Sequence, residues 1–175
     1  MNMKLLASLL LSITCFSAFA QPSTTKGMAG YVEFDDLAAV YGEPKVKINI
    51  GEKLLHFVAS MNEGQDKEAA QMFEKLKAVR VEVYKVKENT GPAIAAADKV
   101  AKKLQSQDWE PIVMVTDEHS HVRIFVKVNN DNVIDGLVLM AVGDNDEAVF
   151  INIIGQIDPS QVAKVTKALN IDVGT

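Results

Sequence analysis

The stretch VRIFVKVNNDNVIDGLVLMAV, Val122 to Val142, reads as two strands and the turn between them. In its first part Val122, Ile124, Val126 and Val128 alternate with Arg123, Phe125 and Lys127, the period of two that places successive side chains on opposite sides of a β-strand. Asn129, Asn130, Asp131 and Asn132 follow, and their short side chains favour turns by bonding to nearby backbone. The second part is apolar on both sides. Ile134, Val138, Met140 and Val142 point one way, and Val133, Leu137, Leu139 and Ala141 the other. A strand of this kind needs cover on both faces. Either another part of the chain supplies the second cover or another protein does.

The same period extends outward in both directions. PIVMVT (111–116) precedes the pair and EAVFINIIG (147–155) follows it, separated by the turn stretches DEHS and GDND. Four strands joined by hairpin-length turns form an antiparallel meander. Further upstream, VRVEVYKV (Val79 to Val86) sets Val79, Val81 and Val83 against Arg80, Glu82 and Tyr84, and KVKINI is a shorter strand of the same type. Between the strands the period becomes helical. EKLLHFVASM places Leu54, Leu55, Phe57, Val58 and Met61 on a broad face. DKEAAQMFEKLKA opens with Asp66 as a cap and turns Ala69, Met72, Phe73 and Leu76 inward. GPAIAAADKVAKKLQ starts with Pro92 in its first turn and lines up Ile94, Ala97, Ala101 and Leu104. A last helix, DPSQVAKVTKAL, is expected from Asp158 as cap, Pro159 at its first position and the stripe Val162, Val165, Leu169. The expected fold is α+β: a two-layer sandwich with a mostly antiparallel sheet, a C-terminal four-strand meander and helices packed on one face.

These segments, together with WEPIVMV and the spaced motif I-x-G-x-I-D at Ile153, Gly155, Ile157 and Asp158, resemble the family known as domain of unknown function 4252. The resemblance runs from about Tyr31 to Leu169 and rests on hydrophobic patterning. It implies an exported or lipid-anchored bacterial α+β domain and brings no activity and no active-site residues with it.

The N-terminus carries a different kind of signal. MNMK is a short basic start, LLASLLLSITCF an apolar run, and SAFA before Gln21 a small-residue cleavage site. Residues 1–20 therefore read as a secretory signal peptide cut between Ala20 and Gln21, which points to a periplasmic or secreted protein. The apolar run is shorter than the ~20 residues a membrane span requires. Cys15 is the chain's one cysteine, and the residues before it fit a lipid-attachment site poorly. Cleavage after Ala20 would leave no thiol for a disulfide, a nucleophile or a metal. Residues 21–30 are polar and small and read as a flexible linker, with a single domain over 31–175. A chain of that length buries about 68–70% of its unfolded surface and needs no covalent staples. Lys4 is the only charge in residues 1–20, so 17 of the 18 basic residues and all 23 acidic ones remain, a net charge of −6. An acidic, exported protein is a poor partner for nucleic acid.

Candidate chemistry is sparse. TDEHSHVR, Thr116 to Arg123, holds His119 and His121 two apart, so that in an extended strand both rings face one way. The adjacent GDND turn brings Asp144, Asp146 and Glu147 to the same end of the sheet. However, two strand spacings, about 9.5 Å, separate the turns, while zinc–ligand bonds are ~2.0–2.3 Å. A polar hairpin turn is the preferred assignment, and a small-ligand or metal site at His119 and His121 the alternative. No hydrolase elbow, zinc-protease helix, phosphate loop or dinucleotide fingerprint occurs, so no enzymatic activity and no cofactor is expected. A more informative feature is the sheet face opposite the valines, where Tyr84, Arg123, Phe125 and Phe150 stand among charges. Exposed Tyr, Phe and Arg are enriched in binding surfaces. If the helices cover the valines, these four residues would bind an envelope protein or a second copy of the chain, in envelope maintenance or signalling.

Overall fold

Six stretches of alternating side chains become strands, and the helical stretches between them pack onto the resulting sheet. The computed structural model describes residues 25–86, 90–117, 120–143 and 147–159. Within them the chain runs α1 (Asp35–Tyr41), β1 (Val46–Gly51), α2 (Glu52–Asn62), α3 (Lys67–Lys75), β2 (Leu76–Lys85), α4 (Gly91–Gln105), β3 (Glu110–Thr116), β4 (Ser120–Val128), β5 (Ile134–Gly143) and β6 (Glu147–Ile157). The strands form one sheet in the order β1-β2-β6-β5-β4-β3, with every neighbour antiparallel. The meander from β3 to β6 is present as expected, and the fold is an α+β sandwich. β2 and β3 run in the same direction, so the chain must travel back the length of the sheet between them, and α4 makes that return. The expected C-terminal helix lies outside the described residues beyond Pro159.

Cover falls on both faces of the sheet rather than on one. On the first face, Tyr84, Phe125, Val138, Met140 and Phe150 are buried against Leu37 of α1 and against Ala93, Ala97, Val100 and Leu104 of α4. Burying a large apolar side chain is worth about 1.5–3 kcal/mol, and the aromatics on this face make it the richer one to cover. The alanines of α4 let the helix backbone approach them closely. On the second face, Leu55 of α2 and Phe73 of α3 pack with Leu76, Ile124, Leu137 and Leu139. Both sides of β5 are thus covered from within the chain. One side chain changes sides: a register shift between Ile134 and Gly136 moves Ile134 to the Leu137 side, away from Val138 and Met140.

Two local differences have clear causes. α3 stops at Lys75 and not at Ala78, because Leu76 is already extended (φ −82°, ψ 144°) and pairs with Gly155. The seven-residue α1 carries no side-chain cap and too few residues to show a helical period.

Ordered packing begins before Tyr31. Gly30 lies against Asp135 and Gly136 so closely that a Cβ there would meet the Asp135 carbonyl oxygen at 2.1 Å. The next residues cross the first face as a strap held by Asn152 of β6. The fully buried Asn152 amide accepts a hydrogen bond from Val32 N (3.0 Å) and donates to Gly30 O (2.8 Å) and Leu137 O (3.3 Å). Arg80 donates to Val32 O and stacks on Tyr31, its guanidinium 4.7 Å from the ring centre. Replacing Asn152 with Leu keeps the volume and strands these backbone groups, each at about 1–3 kcal/mol. We expect N152L to lower unfolding stability by roughly 2–4 kcal/mol in urea titration. A loss below about 0.5 kcal/mol would show that the strap is held by something else.

Candidate interaction surface

The four residues singled out for binding lie inside the protein. Tyr84, Phe125 and Phe150 are fully buried, and Arg123 nearly so. The sheet face that carries them is the one beneath α1 and α4, so it offers no surface to a partner. Its charges are paired within the chain, although the buried Arg123 Nη1 has no hydrogen-bond partner. Tyr84 donates its hydroxyl to Glu82 Oε2 at 2.5 Å, and Lys47 Nζ lies 3.3 Å from Glu82 Oε1. Arg123 Nη2 reaches Asp98 of α4 at 2.5 Å. Arginine and tyrosine are here the polar rims of a core, not contacts awaiting a partner.

The histidine pair is only half described. His119 lies outside the described residues, as do Asp144 and Asp146. His121 is half-buried on β4, opposite Thr116 and Val142, with a buried Nδ1 that makes no hydrogen bond. Glu147, expected to lean toward His119, is instead ion-paired with Lys45 at 2.8 Å. Among the described residues no three potential metal-ligand side chains gather in one place. A cleft of about 540 Å³ opens beside Gly155, lined by Glu74, Lys75, Lys77, Asp135 and Gln156. No serine, threonine, cysteine or histidine lines it.

Exposed apolar side chains stand at both sheet edges, Ile112 and Met114 on β3 and a larger group at the β1 edge. The second face of the sheet is a grid of aliphatic side chains set by the strand register. Val46, Ile48 and Ile50 of β1 stand opposite Val83, Val81 and Val79 of β2, which stand opposite Val149, Ile151 and Ile153 of β6. At the open edge Val46 and Ile48 are 37% and 41% exposed. The helix above continues the patch. α2 contacts β1 and β2, and α3 contacts β6, so α2 is the outer member of the pair. Leu55 and Ala59 of α2 point inward, and His56 Nε2 lies 3.1 Å from Glu74 O of α3. At about 100° per residue, Leu54 falls on the flank of α2 turned away from α3, past β1, Phe57 on the side of the helix facing away from the sheet, and Met61 between the two. They are 51%, 60% and 63% exposed.

Sequence did carry a trace of this stripe. Leu54 to Met61 was legible as one broad apolar face, and its width is the signal. It spans about 160° of the helix, more than the ~100° that facing a core requires. The surplus is what stands in solvent.

Among the described residues no helix is long and apolar enough to cross a membrane. A family profile described as a domain of unknown function, DUF4252, matches residues 41–165. The chain belongs to the DUF4252 family. The match takes in every element from β1 to β6, and therefore both the buried aromatic face and the exposed β1 edge that characterise this member of DUF4252. No curated protein matches the chain, so DUF4252 membership gives the fold group and no activity.

Proposed function

We propose that this protein is a non-catalytic component of the bacterial envelope that acts by binding another polypeptide, and that its docking surface is the open edge of β1 with the exposed flank of α2. The leader-like residues 1–20 support export, and envelope maintenance or signalling is the setting that follows from it. One observation carries the choice of surface: three large apolar side chains of α2, each more than half exposed, stand next to the edge of β1, which no other described strand pairs and whose face on that side is apolar. Exposed apolar residues scattered singly need no explanation, whereas a contiguous patch marks an interaction site. An open edge can accept a further strand by main-chain hydrogen bonds, with the helix flank supplying side-chain contacts.

The test is photo-crosslinking in the native cell from position 57, with Lys103 on the exposed side of α4 as the control position. A discrete polypeptide adduct is expected from position 57 and none from position 103. Equal or no adducts from the two positions would remove the β1/α2 edge as the binding surface.

A further inference from the structure

Resting on that binding role, we infer that the occupant of the edge is a second copy of this chain: β1 pairs antiparallel with β1 of the other copy about a two-fold axis normal to the sheet, and the two α2 flanks meet across it. Among the described residues the sheet has two open edges, and only the β3 edge is guarded. β3 carries Pro111, which donates no hydrogen bond, and a register shift between Pro111 and Val113. β1 has neither. Its six residues pair with β2 in unbroken register and contain no proline. Lysines usually protect such an edge by repulsion. Here Lys45 and Lys47 are ion-paired with Glu147 and Glu82, at 2.8 and 3.3 Å. Two such edges can approach without opposing unpaired ammonium groups.

The symmetry then does the rest. Antiparallel pairing of identical strands is self-complementary, the requirement of a two-fold interface. It keeps Val46 and Ile48 of both copies on the same face and so extends the aliphatic grid. Because this flank of α2 looks past β1, the same axis sets Leu54 and Met61 of one copy against those of the other, with Phe57 at the outer rim of the contact. A foreign partner would have to supply both a free strand and an apolar helix flank at the right offset, and a second copy has both. Together the five residues expose roughly 500 Å² per copy, so pairing can remove up to about 1,000 Å² plus the strand backbone, the lower limit for a specific interface.

The test uses the full chain with Cys15→Ser, so that an introduced cysteine is the sole thiol. Single cysteines replace Ile48 or Asn49 on β1, and Met114 on β3 as the control. Mild oxidation should give a disulfide-linked homodimer from at least one β1 position and none from Met114→Cys. Sedimentation of the cysteine-free chain should show a dimer at about 10 µM, and F57E or M61E should weaken it at least ~10-fold with the circular dichroism unchanged. A chain that stays monomeric to about 100 µM and shows no β1-selective disulfide overturns the pairing. The crosslinks from position 57 then separate the remaining outcomes. Adducts to a different protein keep the binding role and refute the second copy. An adduct within the chain, to residues 160–175, gives the edge to the chain's own C-terminus. No adduct at all refutes both proposals.

Discussion

Phe150→Ala is expected to lower unfolding stability by about 3–5 kcal/mol, a large part of the ~5–15 kcal/mol that holds an ordinary domain together. Phe150 lies at the centre of the buried aromatic group. Its ring meets Phe34 at 5.8 Å, Tyr41 at 5.9 Å and Tyr84 at 5.9 Å between centroids, the last nearly perpendicular at 83°. Those three residues belong to the strap, α1 and β2, so one ring joins three segments to β6. Tyr41 is itself pinned, donating its hydroxyl to Ala93 O of α4 at 2.6 Å. Removing the ring leaves a cavity that these neighbours cannot fill without breaking their own contacts. Urea unfolding of F150A should shift the midpoint at an unchanged slope. Phe57→Ala, at a half-exposed position, should change monomer stability by no more than about 0.5 kcal/mol. Equal losses from the two variants would mean that the first face is not the tightly packed one.

Gly155→Ala is expected to cost roughly 3 kcal/mol or more, from backbone strain and overpacking together. Gly155 has φ +125°, a conformation in which a side chain is strained whatever the space around it. There is also no space. A Cβ would lie 2.6 Å from Lys75 O, 2.7 Å from Leu76 Cα and 2.8 Å from Lys77 N. All three are backbone atoms, so no side-chain rotation relieves the clash. The contact occurs where α3 ends and β2 begins, at the register shift between Leu76 and Ala78. Gly64→Ala is the comparison, with nothing within 4 Å of its Cβ position. Thermal unfolding should separate the two by well over 5 °C, at the ~2–8 °C per kcal/mol typical of domains this size. Coincident melting curves would refute the close approach.

The glycine of I-x-G-x-I-D shows how far local pattern reaches. Its spacing was visible in the chain, but its reason was not, because the atoms that exclude a side chain come from residues 75 to 77. The strands were legible for the opposite reason: alternation is a local property, and each strand needs only its own residues to show it. α1 left no such trace in seven residues. The bulge at Ile134 was also hidden, since a register shift depends on the neighbouring strand.

Arg80, Glu82, Tyr84 and Arg123 mark the limit for the site. Read along the chain, charges and aromatics alternating with valines describe a wet face. In the fold Arg123 finds Asp98, 25 positions earlier, and Glu82 takes both the Tyr84 hydroxyl and Lys47. Once the charges are paired internally, burying the aromatics is favourable, and the face closes under α4.

The residue pattern alone was enough for the α+β class, the antiparallel meander and three of the helices, because side-chain period and turn chemistry act over a few residues. Which face of the sheet meets α4, and which edge is left open, depended on contacts between residues tens of positions apart. Alternation distinguishes two sides of a strand without saying what will cover either. Long-range pairing of charge and apolar area settles that, and here it turned the expected binding face inward and left β1 and the flank of α2 outside.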